Sequence, residues 1–197
     1  MSKELIAVDV DDVLFPFAEN FVGYHNQRHG TAFSHDDMVT SYEELLGLPP
    51  AETSERIYDF HAEDDLHLEP IRDSQHVLAS QADRYDFAIV TARHPRFEDR
   101  TREWLQKYFG DTFKEVVLVG FEDMVDKPRT KLEVCRDLGA VALVDDAVRH
   151  VASCSDGGVQ GVLFGSYPWN ASRSGLPGKV LQVGSWAEAG EYLDGRR

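Results

Sequence analysis

Two stretches of this chain run from uninterrupted apolar residues straight into paired acids: Leu5-Ile6-Ala7-Val8 into Asp9-Val10-Asp11-Asp12, and Ala142-Leu143-Val144 into Asp145-Asp146. An apolar run without polar alternation, bounded by turn residues, reads as a strand covered on both faces, as in a parallel α/β sheet. In such sheets ligands bind beyond the carboxyl ends of the strands, so the acids stand where chemistry is done. On an extended segment Asp9 and Asp11 point to one side, because side chains repeat with period two. Carboxylates gathered in this way repel by about 4 kcal/mol per pair at roughly 4 Å and an effective dielectric of about 20. A hard divalent cation with oxygen ligands offsets that cost, and Mg²⁺ suits a site of few carboxylates, waters and a phosphate. The plainer alternative is that Asp11 and Asp12 cap the turn after the first strand; for these two residues alone the readings stand level.

Charge narrows the partners. Asp and Glu outnumber Lys and Arg by 35 to 20, a formal charge of −15, which argues against a nucleic-acid polymer, whose affinity comes from basic side chains. A small anion is compatible with that field when a cation and a few local bases counter it. The 197 residues, 42% hydrophobic and 28% charged, suffice for one core with an insertion and exclude disordered and fibrous classes. Cys135 and Cys154 lie in helical-looking stretches and read as free thiols in a reducing compartment rather than as a disulfide or metal pair. No leader-like or membrane-length apolar run is seen, so the expectation is a cytoplasmic protein with no membrane partner.

Strand and helix signals alternate along most of the chain. Strands are expected at Glu4 to Asp9, Tyr85 to Thr91, Glu115 to Gly120, Ala140 to Val144, Val159 to Phe164 and Lys179 to Val183, with helices at Asp73 to Ala82, Arg96 to Phe109, Arg129 to Leu138, Ala147 to Ser155 and Ser185 to Leu193. That rhythm specifies an α/β fold, a three-layer Rossmann-like parallel sheet. Residues 16–70 differ in texture, with helical patterns at Pro16 to His29 and Ala51 to Glu63, the stretch Ser41 to Leu46 and Pro49-Pro50 between them, and no strand-like alternation, so they read as a small helical insert after strand one. The domain division is 1–15 with 71–197 for the core and 16–70 for the insert.

Two more clusters fall at strand or helix ends. Thr91-Ala92-Arg93 puts a hydroxyl and backbone N–H groups where a strand gives way to a helix, which makes either an anion cradle or an ordinary Thr cap. Lys127 and Lys131 precede the helix that leads to the Asp145 strand; either could hold an anion and relieve repulsion among the acids, and Lys131 is favoured over Lys127. Arg93 and Arg96 read as a substrate-phosphate clamp or as plain helix-start bases. His25, His29, His35, His61 and His67 show no consistent metal-ligand spacing.

Asp-x-Asp at a first strand, a strand ending in Thr, a Lys, and a strand ending in Asp-Asp together resemble the haloacid dehalogenase superfamily of phosphohydrolases. Within it the chain resembles the type C cytosolic 5′(3′)-deoxyribonucleotidase family, through Asp9-Val10-Asp11-Asp12-Val13-Leu14, Ile89-Val90-Thr91-Ala92-Arg93, Lys131, Leu143-Val144-Asp145-Asp146, Tyr167-Pro168-Trp169-Asn170 and Ser185-Trp186. The resemblance implies a C1-type cap in the helical insert, Asp9 as the nucleophile that forms an aspartyl-phosphate, and Asp11 as general acid and base. It implies Mg²⁺ on Asp9, the backbone carbonyl of Asp11, Asp145 and Asp146, with Thr91, Ala92 N–H and Lys131 on the phosphoryl oxygens. Phe17 matches a family aromatic that faces the nucleobase, and Arg93 is a candidate substrate contact. Asp12 stands where the family usually has Gly, tolerable because Asp enters the left-handed region more readily than most residues. Tyr24, Tyr42, Tyr58 and Phe60 read as core positions of the insert or as contacts to a flat group. The expected partner is a small phosphate ester, with a nucleoside monophosphate foremost and a homodimer left open. A sugar phosphate or other small phosphometabolite is the alternative substrate. A signalling receiver domain and a catalytically silent metal-binding module are the remaining readings, disfavoured by the helical insert and by the full set of acids respectively.

Overall fold

A computed structural model describes residues 3–63, 67–120, 129–171, 176 and 178–196. Six strands, β1 (Glu4–Val8), β2 (Tyr85–Thr91), β3 (Phe113–Leu118), β4 (Ala140–Asp145), β5 (Gln160–Phe164) and β6 (Leu181–Val183), form one sheet in the order β3-β2-β1-β4-β5-β6. Every pair is parallel, as the unbroken apolar runs require. Side chains of alternate residues enter opposite layers. Ile6, Val8, Ile89 and Val144 join one core cluster, while Ala7, Val90 and Leu143 join the other.

The first layer packs on helices α1 (Phe17–His29), α4 (Ser74–Gln81), α5 (Glu98–Phe109) and α8 (Trp186–Gly195), through Phe21, Leu78, Trp104 and Leu193. The second packs on α6 (Lys131–Leu138) and α7 (Val148–Asp156), through Val134, Cys135 and Cys154. Both cysteines are free and buried. At Gly161 of β5 a Cβ would lie 2.3 Å from the Val151 carbonyl of α7, so only glycine permits this close helix–strand approach. Among the described residues no helix is long and apolar enough to cross a membrane.

Several boundaries differ from the sequence reading for local reasons. β3 begins at Phe113, two residues earlier than expected, because its pairing with β2 shifts register after Phe87. α6 begins at Lys131 rather than Arg129, since the Thr130 hydroxyl accepts from Glu133 N–H and Glu133 in turn accepts from the Thr130 N–H, a reciprocal cap that fixes the first turn. The expected helix at Arg96 opens as a 3-10 turn over Pro95–Phe97 before α5.

Between β1 and residue 71 the described chain holds α1, α2 (Tyr42–Leu46), α3 (Pro50–Ala62) and a 3-10 turn at His35–Asp37, with no strand. The insert leaves and rejoins the core at one place, where Ile71 N–H donates to the Leu14 carbonyl at 2.7 Å. Aromatic rings pack its interior. Phe17 lies near-parallel to Phe21 at 5.4 Å and to His61 at 5.2 Å, edge-on to Tyr42 and Phe60.

The loop after β1 is tied to the far end of the chain: Trp186 Nε1 donates to the Val13 carbonyl at 2.7 Å, and the ring is buried. Trp186→Phe keeps most of the volume but leaves that carbonyl without its donor. The expected cost is about 1–3 kcal/mol, read as a lower midpoint in denaturant titration; an unchanged midpoint would show that the bond contributes nothing.

Candidate active site

The carboxyl ends of β1, β2 and β4 are level, with Val8 opposite both Ile89 and Val144, and the Asp9 N–H donates to the Val144 carbonyl at 2.9 Å. Asp9, Thr91 and Asp145 therefore emerge side by side. Lys131, the first residue of α6, reaches into this row: its Nζ is 2.9 Å from Asp9 Oδ2 and 2.6 Å from Asp145 Oδ2. All three side chains are buried, Lys131 at 2% exposure and Asp145 at 0%. The two carboxylates hold the Lys131 ammonium more firmly protonated than a free lysine, against the opposing effect of burial. Lys127 lies outside the described residues.

One carboxylate oxygen from each of Asp9, Asp145 and Asp146 lies within 4.8 Å of the others. Each acid is oriented from its own side. Asp145 Oδ1 accepts from Ala147 N–H at 2.9 Å, and Asp146 Oδ2 accepts from Trp169 Nε1 at 2.7 Å. Asp9 Oδ1, by contrast, is buried with no hydrogen-bond partner among the described residues. Three hard oxygen donors, from Asp9, Asp145 and Asp146, one of these acids carrying an unsatisfied oxygen, fit a divalent cation of the Mg²⁺ type. Burial, partly opposed by Lys131 and reinforced by Asp145 and Asp11, lifts the Asp9 carboxyl to about 6. Burial and then Asp145 push Asp146 well above the usual carboxylate range.

Asp11 does not join that cluster with its side chain. Its carboxylate accepts from Arg93, with Nε at 3.1 Å from Oδ1 and 3.0 Å from Oδ2 and Nη2 at 2.7 Å from Oδ1. Asp12 is the residue that caps: its φ is 55°, in the left-handed region, and its Oδ1 accepts from Ala18 N–H in the first turn of α1 at 3.0 Å. Burial raises the Asp12 carboxyl to about 8. Thr91 is buried and its hydroxyl accepts from Arg93 N–H at 3.3 Å. Ala92 and Lys131 share the wall of a cavity of about 500 Å³ with Gly120, Arg149 and His150. Arg96 lies over the Tyr58 ring at 4.8 Å, so it braces the insert rather than merely opening a helix. Phe17 is buried among its neighbouring rings, at 6% exposure.

Three contributors were not assigned from sequence. Trp169 orients Asp146. Asn170, fully buried, donates from Nδ2 to the Asp146 carbonyl at 3.0 Å and to Phe164 O at 2.9 Å. Tyr167 donates its hydroxyl to the Asp12 carbonyl at 2.8 Å and stacks on Trp169 at 4.6 Å. The run Tyr167-Pro168-Trp169-Asn170 was conspicuous in sequence, but its function as a clamp on both acidic loops depends on contacts 155 and 23 residues away.

The sequence from residue 3 to 193 matches the family described as 5′ nucleotidase, deoxy (pyrimidine), cytosolic type C protein. The chain belongs to this family. No curated protein sequence matches it at a comparable level. Among solved structures, a haloacid dehalogenase-like hydrolase from Streptococcus pneumoniae superposes with a TM-score of 0.70 at 11% identity, covering 97% of this chain and 98% of that one. A haloacid dehalogenase superfamily hydrolase from Geobacter sulfurreducens gives 0.61 at 17% identity, covering 97% and 96%. The L-2-haloacid dehalogenase from Xanthobacter autotrophicus, with chloropropionic acid covalently bound, gives 0.67 at 11% identity with full coverage of both chains. These likenesses carry the fold. As a member of the type C nucleotidase family, the chain is a phosphoric monoester hydrolase acting on a small phosphate ester, built on the fold of the haloacid dehalogenase-like hydrolases.

Two outcomes follow from the charges. Lys131→Met removes the ammonium between Asp9 and Asp145 and should destabilise the metal-free protein by about 3–5 kcal/mol; unfolding midpoints in EDTA measure this, and a loss below about 1 kcal/mol would contradict a buried ion triad. A carboxyl whose pKa is higher folded than unfolded favours the fold while protonated, and that contribution is lost as pH rises through the folded value. Asp9, raised from 3.8 to about 6, and Asp12, raised to about 8, therefore make the metal-free protein less stable as pH climbs from about 4 to about 8. Added Mg²⁺ should raise the melting temperature more at about pH 8 than at about pH 5; equal gains at both would argue that no cation meets these carboxylates.

Proposed function

We propose that this chain is a Mg²⁺-dependent nucleotidase that releases phosphate from nucleoside monophosphates through an aspartyl-phosphate on Asp9. The observation that carries the reading is the state of Asp9: buried, fixed by Lys131 through one oxygen, and unpartnered at the other beside Asp145 and Asp146. Such a carboxylate is held for attack on phosphorus, forming the new P–O bond as the ester P–O bond breaks and so dividing one displacement into two. Asp11 gives a proton to the departing alcohol and then takes one from the water that attacks the phosphoenzyme. Thr91, Ala92 N–H and Lys131 hold the non-reacting oxygens, where negative charge must be stabilised. Mg²⁺, held by Asp9, the Asp11 carbonyl, Asp145 and Asp146, would neutralise charge between the incoming phosphate and its nucleophile.

Residues 16–70 act in this reading as a cap that excludes water, pivoting where Ile71 bonds to Leu14. The Tyr42 hydroxyl supports the assignment. It is buried without a partner and feels the charges of Asp12, Asp146 and Asp11, as expected of a cap group that completes its hydrogen bond on a substrate oxygen. The rings of Phe17, Phe21, Phe60 and His61 favour a flat group over a bare sugar. A base reaches Phe17 by displacing a ring now packed on it, most simply that of His61. The family description adds a pyrimidine deoxynucleotide as the first substrate to try.

Phosphate release is to be measured across deoxy- and ribonucleoside monophosphates and sugar phosphates, with Mg²⁺ and with EDTA. Pyrimidine deoxynucleotides should turn over best, EDTA should abolish the signal, and Asp9→Asn should lower kcat by about 10⁴-fold or more with little change in melting temperature. Preference for sugar phosphates would move the substrate class, and undiminished turnover in chelator or in Asp9→Asn would remove the mechanism.

A further inference from the structure

We propose that Arg93 is the positioning residue for the acid–base carboxylate of Asp11, and not a group that grips the substrate; this rests on the phosphatase reading above. The guanidinium is a rigid planar fork, and its Nε–Nη2 edge, the edge that would grip a phosphate, is spent on Asp11. Its Nη1 donates to Thr101 Oγ1 of α5 at 3.2 Å, and its Cζ lies over the ring of Phe15, 4.6 Å from the centroid. The side chain is 3% exposed, against 24% for that of Asp11. Arg93 is thus the fixed member of the pair, held by a helix and an aromatic ring, and Asp11 is the member that meets solvent and substrate.

The backbone joins in the same arrangement. Arg93 N–H donates to Thr91 Oγ1, so the residue that directs the acid–base group is anchored to the strand end proposed to bind phosphate. A displacement of Thr91 by the phosphoryl group is passed to Asp11 through two hydrogen-bonded steps. Free rotation would let the Asp11 carboxylate sample positions remote from the leaving oxygen, and misplacement by about 1 Å costs on the order of 10²-fold in rate. The fork restricts the carboxylate to one plane and one direction while leaving part of it accessible.

The test uses two substrates and two variants. With p-nitrophenyl phosphate the leaving group departs without a proton; with a nucleoside 5′-monophosphate the alkoxide needs one. Arg93→Lys keeps the cation and removes the fork, and Thr101→Val removes the brace behind Arg93 while keeping the side-chain shape. Arg93→Lys should lower kcat for the nucleotide by about 10²-fold with KM within about twofold. On p-nitrophenyl phosphate it should give a near-normal first turnover, seen as a burst of nitrophenolate, followed by slow release of phosphate from the enzyme. Thr101→Val should shift the same parameters in the same direction by a smaller factor. A rise in KM at constant kcat would make Arg93 a substrate clamp and overturn the proposal, as would equal losses in the first turnover of both substrates. Wild-type protein inert toward both would overturn the phosphatase reading and this role with it.

Discussion

The site depends on one buried ammonium. Asp9 and Asp145 end adjacent parallel strands whose register places their carboxylates together, and neither can move apart without breaking the sheet. Taking a charged group out of water costs several kcal/mol, so two buried carboxylates at this spacing are untenable alone. Lys131 answers both at once, and it can do so because the Thr130–Glu133 cap starts α6 at that residue and not a turn earlier or later. The position of Asp9 is therefore set by a helix cap on a separate element. Three clustered carboxylates, Asp9, Asp145 and Asp146, against a single ammonium still leave a surplus of two negative charges, equal to the charge of one divalent cation.

The neighbouring acids are handled by different means, and this separates their roles. Asp12 is spent on the N-terminus of α1, where its carboxylate and left-handed backbone turn the chain into the insert. Asp146 is braced by an indole N–H, a neutral donor that directs the carboxylate without cancelling its charge. Asp11 is paired with a guanidinium and stays about a quarter accessible, at 24%. Asp9, Asp11, Asp145 and Asp146 would be redundant as an undifferentiated cluster; distinct partners suit them to the separate roles proposed above.

The strands and the acids at their ends were legible in the sequence because both signals are local: a continuous apolar run, then a polar break. The favoured Lys131 lies in the buried row, while Lys127 falls outside the described residues. What could not be read was pairing between strand ends. Arg93 reads from sequence as a substrate clamp or a plain helix-start base; its bond to Asp11, 82 residues away, exists only because β1 and β2 are neighbours. Asp11 and Asp12 could not be told apart by sequence; one left-handed φ and one hydrogen bond to Ala18 make Asp12 the cap. The Tyr167–Asn170 clamp was visible as a motif but mute as to function, since its bonds reach back to loops after β1 and β4. His150 carried no signal at all: burial, with Lys131 and Arg149 nearby, drives its imidazole down to about 3, which makes it a neutral group on the cavity wall.

The insert was the least legible region for a related reason. Its helices follow from periodicity and caps, but its interior is a cluster of rings, and ring contacts are sequence-tolerant. Phe17 belongs to that cluster and also follows the acidic loop directly, so one side chain couples the packing of the insert to the loop that carries Asp11 and Asp12. If the insert closes over substrate as proposed, changes among its stacked rings can alter selectivity without disturbing the charges beneath them. Reaction type is then a property of the sheet edge, where burial and ion pairing leave little freedom. Selectivity is a property of the ring cluster, where volume-conserving changes cost little.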